Sequence, residues 1–233
     1  MKLPIFTKSQ EKKIRHAAVS LDSGSLEAKY KARYKLTEQQ TFIRKGRLVS
    51  ELILAQTKLK LPVLTLLLVS RKSLEKLSSQ ESITTMLDNI QLDIIRRHRI
   101  KISPIGKWFE LEESVVEKLK WLAIETKAYD SFFLNLCINY DGQEELVEAC
   151  RMIARRVQLG KLKPEDIDVS VIKENIYMSN FIPPEIIILN DMPQLNSFVL
   201  WDSAHSVLRF TGLPWLEFSA EKLIKEVELF LKS

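Results

Sequence analysis

The strongest constraint on this chain is a set of short apolar runs with almost no polar interruption: HAAVSL (16–21), VLTLLLV (63–69), IKISPI (100–105), SFFLNLCIN (131–139) and EIIILN (185–190). Strands with one face in water alternate polar and apolar residues, whereas strands covered on both faces need not, so these runs predict a parallel sheet buried between helices. Apolar residues at helical spacing fill the stretches between them, over 40–58, 82–97, 111–127, 142–157 and 219–233. Strand and helix alternating in this way predict an α/β fold, a central mostly parallel sheet flanked by helices. The 233 residues suit a single domain over 1–233, with a basic segment at 1–13.

Composition excludes several classes. The longest apolar run, LPVLTLLLV at 61–69, has 9 residues, against the roughly 20 that a membrane-spanning helix needs. Cys137 and Cys150 make neither a disulfide framework nor a zinc pattern, which leads to the expectation of a reducing, cytoplasmic setting. The 6 glycines form no GxGxxG or Walker loop. The first 60 residues carry 14 Lys/Arg against 5 Asp/Glu, and the rest carry 21 against 25, so the first quarter is built to meet anions or is a solvated basic face. Peripheral contact with a membrane surface fits that charge. Nucleic acid fits poorly, because Trp108, Trp121, Trp201 and Trp215 are scattered and form no stacking platform among the cations.

Two stretches are more specific. FFLNLCINYDGQEE (132–145), followed by Leu146-Val147-Glu148-Ala149-Cys150-Arg151, and NSFVLWDSAHSVLRFTGLPWLEF (196–218) resemble signature segments of the cis-prenyltransferases, the undecaprenyl and dehydrodolichyl diphosphate synthases. GKLKPEDID (160–168) and LTLLLVS (64–70) are similar to further segments of that family, and the resemblance extends over about residues 14–233. It implies a sheet of about six strands and, between the sheet and two long helices at 40–60 and 82–98, an elongated apolar cavity that accommodates a growing isoprenoid if one is bound and is ordinary core if none is. It also implies condensation of isoprenoid diphosphates with Mg²⁺ as cofactor.

In this alignment HAAVSLDSGSLE (16–27) falls on the family's first strand and catalytic loop, which puts Asp22 at the carboxylate that positions Mg²⁺ and the diphosphates. The resemblance implies substrate contacts at Gly24, Arg44, Lys45, Arg47, Asn139, Gln194 and Asn196. The residues alone leave other roles open: Asp22 as a helix N-cap, and Arg44, Lys45 and Arg47 as a solvated face. His98, within Arg96-Arg97-His98-Arg99, reads as part of a helix C-terminal charge cluster, and His205 as core packing.

The departures from the family pattern are concentrated in its polar residues. Where the family clamps a diphosphate with two arginines and a serine, this chain has Ile188 (or Leu189), Gln194 and Asn196; where the family has a metal-binding glutamate, it has Val207. Two lost guanidinium contacts remove about 3–6 kcal/mol of phosphate binding. Scaffold kept and chemistry lost implies the catalytically degenerate partner of a heteromeric cis-prenyltransferase, paired with a catalytic homologue in a heterodimer or heterotetramer. Three alternatives stay open: a self-sufficient divergent Mg²⁺-dependent enzyme, a homodimer, and a polyprenyl-binding or membrane-surface module without catalysis.

Overall fold

The computed structural model describes residues 13–22, 27–190 and 194–232. Along the chain run β1 (His16–Ser20), α1 (Glu27–Tyr34), α2 (Glu38–Lys58), β2 (Val63–Ser70), α3 (Arg71–Leu74), α4 (Glu81–Asp88), α5 (Leu92–Arg97), β3 (Ile100–Ile105), α6 (Glu113–Glu125), β4 (Phe132–Tyr140), α7 (Gly142–Gln158), α8 (Val169–Asn175), β5 (Ile186–Leu189), β6 (Val207–Phe210) and α9 (Ala220–Lys232). The strands form one sheet in the order β3-β4-β2-β1-β5-β6, and every pairing is parallel. The chain builds outward on one side of β1, returns through β4, then jumps to β5 on the other side. Carboxyl ends of strands at such a reversal form the crevice where open α/β sheets place their ligands.

The continuous apolar runs become strands buried on both faces, as expected. Leu64, Leu66 and Leu68 of β2 join one core cluster with α2, α4, α6 and α9, while Leu67 points into a smaller cluster on the opposite face with Cys137, Tyr140, Met178 and Phe198. The sixth strand has no continuous apolar run of its own. Val207–Phe210 is an exposed or half-buried edge strand that owes its state to the ladder offered by β5.

The helix expected over 82–97 is two helices. Asn89 caps α4, its Nδ2 donating to the Thr85 carbonyl at 2.8 Å, and the Gln91 amide donates to Ser50 Oγ at 2.9 Å, so the chain turns against α2 before α5 begins. α2 starts where local chemistry dictates, with a capping box: Thr37 Oγ accepts from the Gln40 amide at 3.1 Å and Gln40 Oε1 accepts from the Thr37 amide at 2.9 Å.

The region between α2, α4 and the sheet is packed solid. Val49, Leu52, Ile53, Ile83, Met86, Leu64, Leu66, Leu68, Leu134 and Leu136 have no accessible surface. A cavity wide enough for an isoprenoid would leave its lining accessible. A Cβ added at Gly46 would lie 2.2 Å from the Met86 carbonyl oxygen, so α2 and α4 meet backbone to backbone there. The elongated cavity expected between these helices and the sheet is, among the described residues, hydrophobic core.

Candidate functional site

Register aligns the strand ends that the sequence singles out. Ser20 lies beside Leu67 on one side and Leu189 on the other, and Ser70 lies beside Tyr140. Asp22, just past β1, therefore shares one end of the sheet with Ser70, Asn139 and the 188–189 position. Gly24 lies outside the described residues.

Asp22 is buried, and both its carboxylate oxygens are engaged. Oδ2 accepts the Ser70 amide and Oδ1 accepts the Ser73 hydroxyl at 2.6 Å, while Ser70 Oγ caps α3 by accepting the Ser73 amide at 3.1 Å. The carboxylate thus ties the end of β1 to the β2–α3 junction. Ser70, and not Asp22, is the N-cap of α3; Asp22 braces that cap through the Ser70 amide and the Ser73 hydroxyl.

The two cations at the start of α2 hold backbone. Lys45, only 3% exposed, donates to the Leu68 carbonyl at 3.0 Å, with its ammonium 4.5 Å from the centre of the Trp215 ring and 5.2 Å from that of Phe42. Cation–π contacts with desolvated rings stabilise such an ammonium by about 2 kcal/mol. Arg44 donates to the Leu216 carbonyl at 2.6 Å. Together they fasten residues 215–216 over the end of β2. Arg47 faces water on the outer side of α2, in line with Arg44, Glu51 and Leu54, and matches the solvated-face reading.

Asn139 adopts a left-handed conformation (φ 49°). Its Nδ2 donates to the Lys107 carbonyl at 2.9 Å, and its own carbonyl accepts the Lys107 amide at 3.1 Å. The residue closes the corner after β3, where Gly106 has φ 103° and a Cβ would meet the Ile138 carbonyl oxygen at 2.7 Å. Ile188 and Leu189, the alternatives for the first family arginine, are buried strand residues, and Val207 sits on the edge strand. Gln194 and Asn196 are exposed on the loop before Phe198. That loop is strained: Asn196, Ser197 and Val199 all have positive φ, and the β-branched Val199 at 51° is the costliest.

Beneath the loop lies a buried polar cluster. The Tyr140 hydroxyl donates to Glu145 Oε2 at 2.7 Å and accepts the Val199 amide at 3.2 Å; Glu145 Oε1 accepts the Tyr177 amide at 2.9 Å. Lys173 donates to Asp202 Oδ2 at 2.5 Å. Burial raises the pKa of both carboxyls, Glu145 and Asp202, and desolvation pushes the Tyr140 hydroxyl well above its usual range. Gly142 survives because the backbone of the loop crosses it: a Cβ would lie 2.1 Å from the Ser197 carbonyl oxygen. In the sequence, Tyr140 and Glu145 read only as part of a family signature, and nothing local marks Lys173, Asp202 or Asn190. Asn190 joins three strands, donating to the Ser20 carbonyl at 2.7 Å and accepting the Thr211 hydroxyl at 2.8 Å.

The described residues do not fit a magnesium ion. Mg²⁺ demands several hard oxygen ligands in octahedral array. Here the one aligned carboxylate, Asp22, already accepts two hydrogen bonds, the second family position is Val207, and no group of three His, Cys, Asp or Glu that could hold a metal occurs among the described residues. No step of chemistry is therefore assigned to a metal held by this chain.

A parallel α/β sheet with a polar row at the reversal of its strand order defines the class, and comparison with known proteins supplies the family. The family description "Putative undecaprenyl diphosphate synthase" matches residues 28–233, and the chain belongs to this family, the cis-prenyltransferases. It is 32% identical over 136 residues to the tritrans,polycis-undecaprenyl-diphosphate synthase (geranylgeranyl-diphosphate specific) of Methanocaldococcus jannaschii, covering 57% of this chain and 49% of that protein. It is also 32% identical over 139 residues to the enzyme of the same name from Methanopyrus kandleri, covering 59% and 51%. The chain spans about half the length of the curated relatives it matches. The fold is shared with the crystal structure of lavandulyl diphosphate synthase from Lavandula x intermedia in complex with dimethylallyl diphosphate, at a TM-score of 0.82 and 21% identity over 95% of this chain and 96% of that one. No helix among the described residues is long and apolar enough to cross a membrane.

Proposed function

We propose that this chain is the catalytically degenerate partner in a heteromeric cis-prenyltransferase that makes polyprenyl diphosphates for lipid carriers. The observation that carries the reading is the engagement of Asp22, Lys45 and Arg44, aligned with the family's diphosphate site beside β1 and on α2, while Arg47 alone of that set faces water. Asp22 holds Ser70 and Ser73, Lys45 holds the Leu68 carbonyl between two aromatic rings, and Arg44 holds the Leu216 carbonyl. The packed interior between α2, α4 and the sheet supports the same reading, since a growing isoprenoid finds no room there. A catalytic homologue would supply the arginines, the metal carboxylates with their Mg²⁺, and the tunnel. Condensation of radiolabelled isopentenyl diphosphate with an allylic diphosphate tests it: the purified chain alone should give no product, and co-expression with a full-motif homologue should raise that homologue's rate. A rate that is the same with and without this chain rejects the proposal.

A second reading, a self-sufficient divergent enzyme, is favoured by two observations: Asp22 and Asn139 still stand at the same end of the sheet, and relatives at 32% identity are named as synthases. Turnover by the chain alone, abolished in Asp22→Ala, would establish it.

A further inference from the structure

We infer that the carboxyl-terminal half of α6 and the adjoining end of α5 form a surface that docks on a phospholipid bilayer carrying anionic headgroups. This stands apart from the catalytic reading, because it concerns where the chain sits and not what it condenses.

α6 sends Val115, Leu119 and Leu122 into the core and turns Trp121 and Ile124 outward, 40% and 64% exposed. Three residues apart on a helix, these two are neighbours on one outer stripe. Lys118 and Lys120 flank it on opposite sides, the Lys118 ammonium 5.1 Å from the centre of the Trp121 ring. Lys127 and Ala128, both exposed, follow in the turn after the helix. α5 brings its own cations to the same place. Arg96 donates to Glu125 Oε1 at 2.9 Å, and Arg99 donates to Asp130 Oδ1 at 3.1 Å and lies 5.6 Å from the centre of the Tyr129 ring. These contacts join the basic end of α5 to the end of α6, so the two helices present one surface.

Charge and side-chain type pick the occupant. The carboxylates nearby are matched, Glu125 and Asp130 by the two arginines and Asp88 by Lys118 at 2.6 Å. Arg97, Lys120 and Lys127 are exposed and have no acidic partner among the described residues, so positive charge is left over around the apolar pair. Glu117, one turn nearer the amino end of α6, marks the border of the surface. A protein partner is the poorer fit: such interfaces gather apolar side chains at their centre and deplete lysine there, whereas here Trp121 and Ile124 project between lysines. Tryptophan beside lysine and arginine suits the boundary of a bilayer, where the indole lies at headgroup level and the long cationic stems reach phosphate. An anionic leaflet attracts each cation that comes within about 10 Å of it. The cations of the basic first quarter are less available, since Arg44 and Lys45 hold carbonyls.

Flotation of the full chain with vesicles tests this, using phosphatidylcholine alone and phosphatidylcholine mixed with phosphatidylserine. The chain should float with the mixed vesicles and not with the neutral ones, and should be released as NaCl rises from about 0.05 to 0.5 M. Lys120→Gln with Lys127→Gln should weaken binding about 25-fold, because each cation at an anionic leaflet contributes about a factor of five. Trp121→Ser should weaken it about tenfold. Lys72→Gln with Lys76→Gln removes the same charge from exposed positions on α3, at the opposite end of the sheet, and should change binding less than about twofold. Unchanged melting by circular dichroism shows that the variants fold. A blue shift of indole fluorescence on adding mixed vesicles, lost in Trp121→Phe, reports the same contact with little change in packing. A chain that does not float with the mixed vesicles overturns the inference. So does flotation that the Lys120 and Lys127 variant retains, or that the Lys72 and Lys76 variant loses equally. Binding to polyglutamate and not to vesicles would assign the surface to an acidic protein, and would overturn it as well.

Discussion

The two faces of the sheet handle buried polar groups in different ways. On the α2 face, a lone ammonium, Lys45, is buried against Trp215, Phe42 and one carbonyl, with no carboxylate paired to it among the described residues, and the surroundings are solid apolar core. On the opposite face, under the 195–199 loop, Glu145, Tyr140, Lys173 and Asp202 are bonded to each other and to backbone, and His16, Thr65 and Asn135 form a second chain. On the first face Lys45 acts as a fastener, and the replaced positions Gln194 and Asn196 lie on the loop over the second. The second keeps framework polar groups, whose satisfaction fixes a loop with three left-handed residues. The two sides differ in their dependence on charge: the first should tolerate neutralisation, and the second should not.

Trp215→Ala gives the largest expected effect. It removes a fully buried ring and the seat of Lys45, and should cost about 4 kcal/mol in denaturant unfolding. A loss below about 1 kcal/mol would mean that residues 215–216 are not fastened as described.

The next is a pH effect on the opposite face. Burial lowers the His16 pKa to about 4 from 6.5. Nδ1 must donate to the Ile182 carbonyl at 2.6 Å, so Nε2 accepts the Thr65 hydroxyl at 2.8 Å, an arrangement only the neutral ring can make. A histidine held below its unfolded value contributes stability that is complete above pH 6.5 and is lost as the pH falls toward 4. The full loss is roughly 3 kcal/mol. Unfolding free energies measured from pH 7 to 4 should fall over that window in the wild type and stay flatter in His16→Gln.

Asp22→Asn separates fastening from catalysis. An amide can accept only one of the two bonds from Ser70 and Ser73, so stability should drop by about 1–2 kcal/mol. The condensation rate of a complex with an active homologue should be unchanged; a large fall in rate with intact folding would restore a catalytic role for this carboxylate.

Lys45→Met should have the smallest effect. Replacing a buried cation by an apolar chain of similar length is often neutral, so the melting point should move by no more than about 1 kcal/mol equivalent. A large loss would show that the ammonium matters beyond its packing.

Much of the fold was legible because fully covered strands leave a compositional trace: the runs at 16–21, 63–69, 100–105, 131–139 and 185–190 each became a strand. β6 left none, since its state comes from the edge of β5 and its exposed residues fit loop or strand alike. The division of the 82–97 helix was hidden because the Ser50 hydroxyl that meets Gln91 comes from α2. At the site, the missing arginines and glutamate were plain in the spelling of the motifs. The present work of Arg44, Lys45 and Asn139 was not, because each partner is a backbone carbonyl, and every residue has one.

The sequence by itself therefore determined the class of sheet, the family, and which charged groups are absent, since these depend on residue type and spacing along the chain. The tertiary structure alone decided what the retained polar groups do and whether the interior is open. Arg44 reaches a carbonyl 172 residues away and Asp22 a hydroxyl 51 residues away, while Gly46 lets two helices close on each other. A hydrogen bond is made by whichever donor and acceptor the fold brings within about 3 Å, and that distance exists only once the chain has folded.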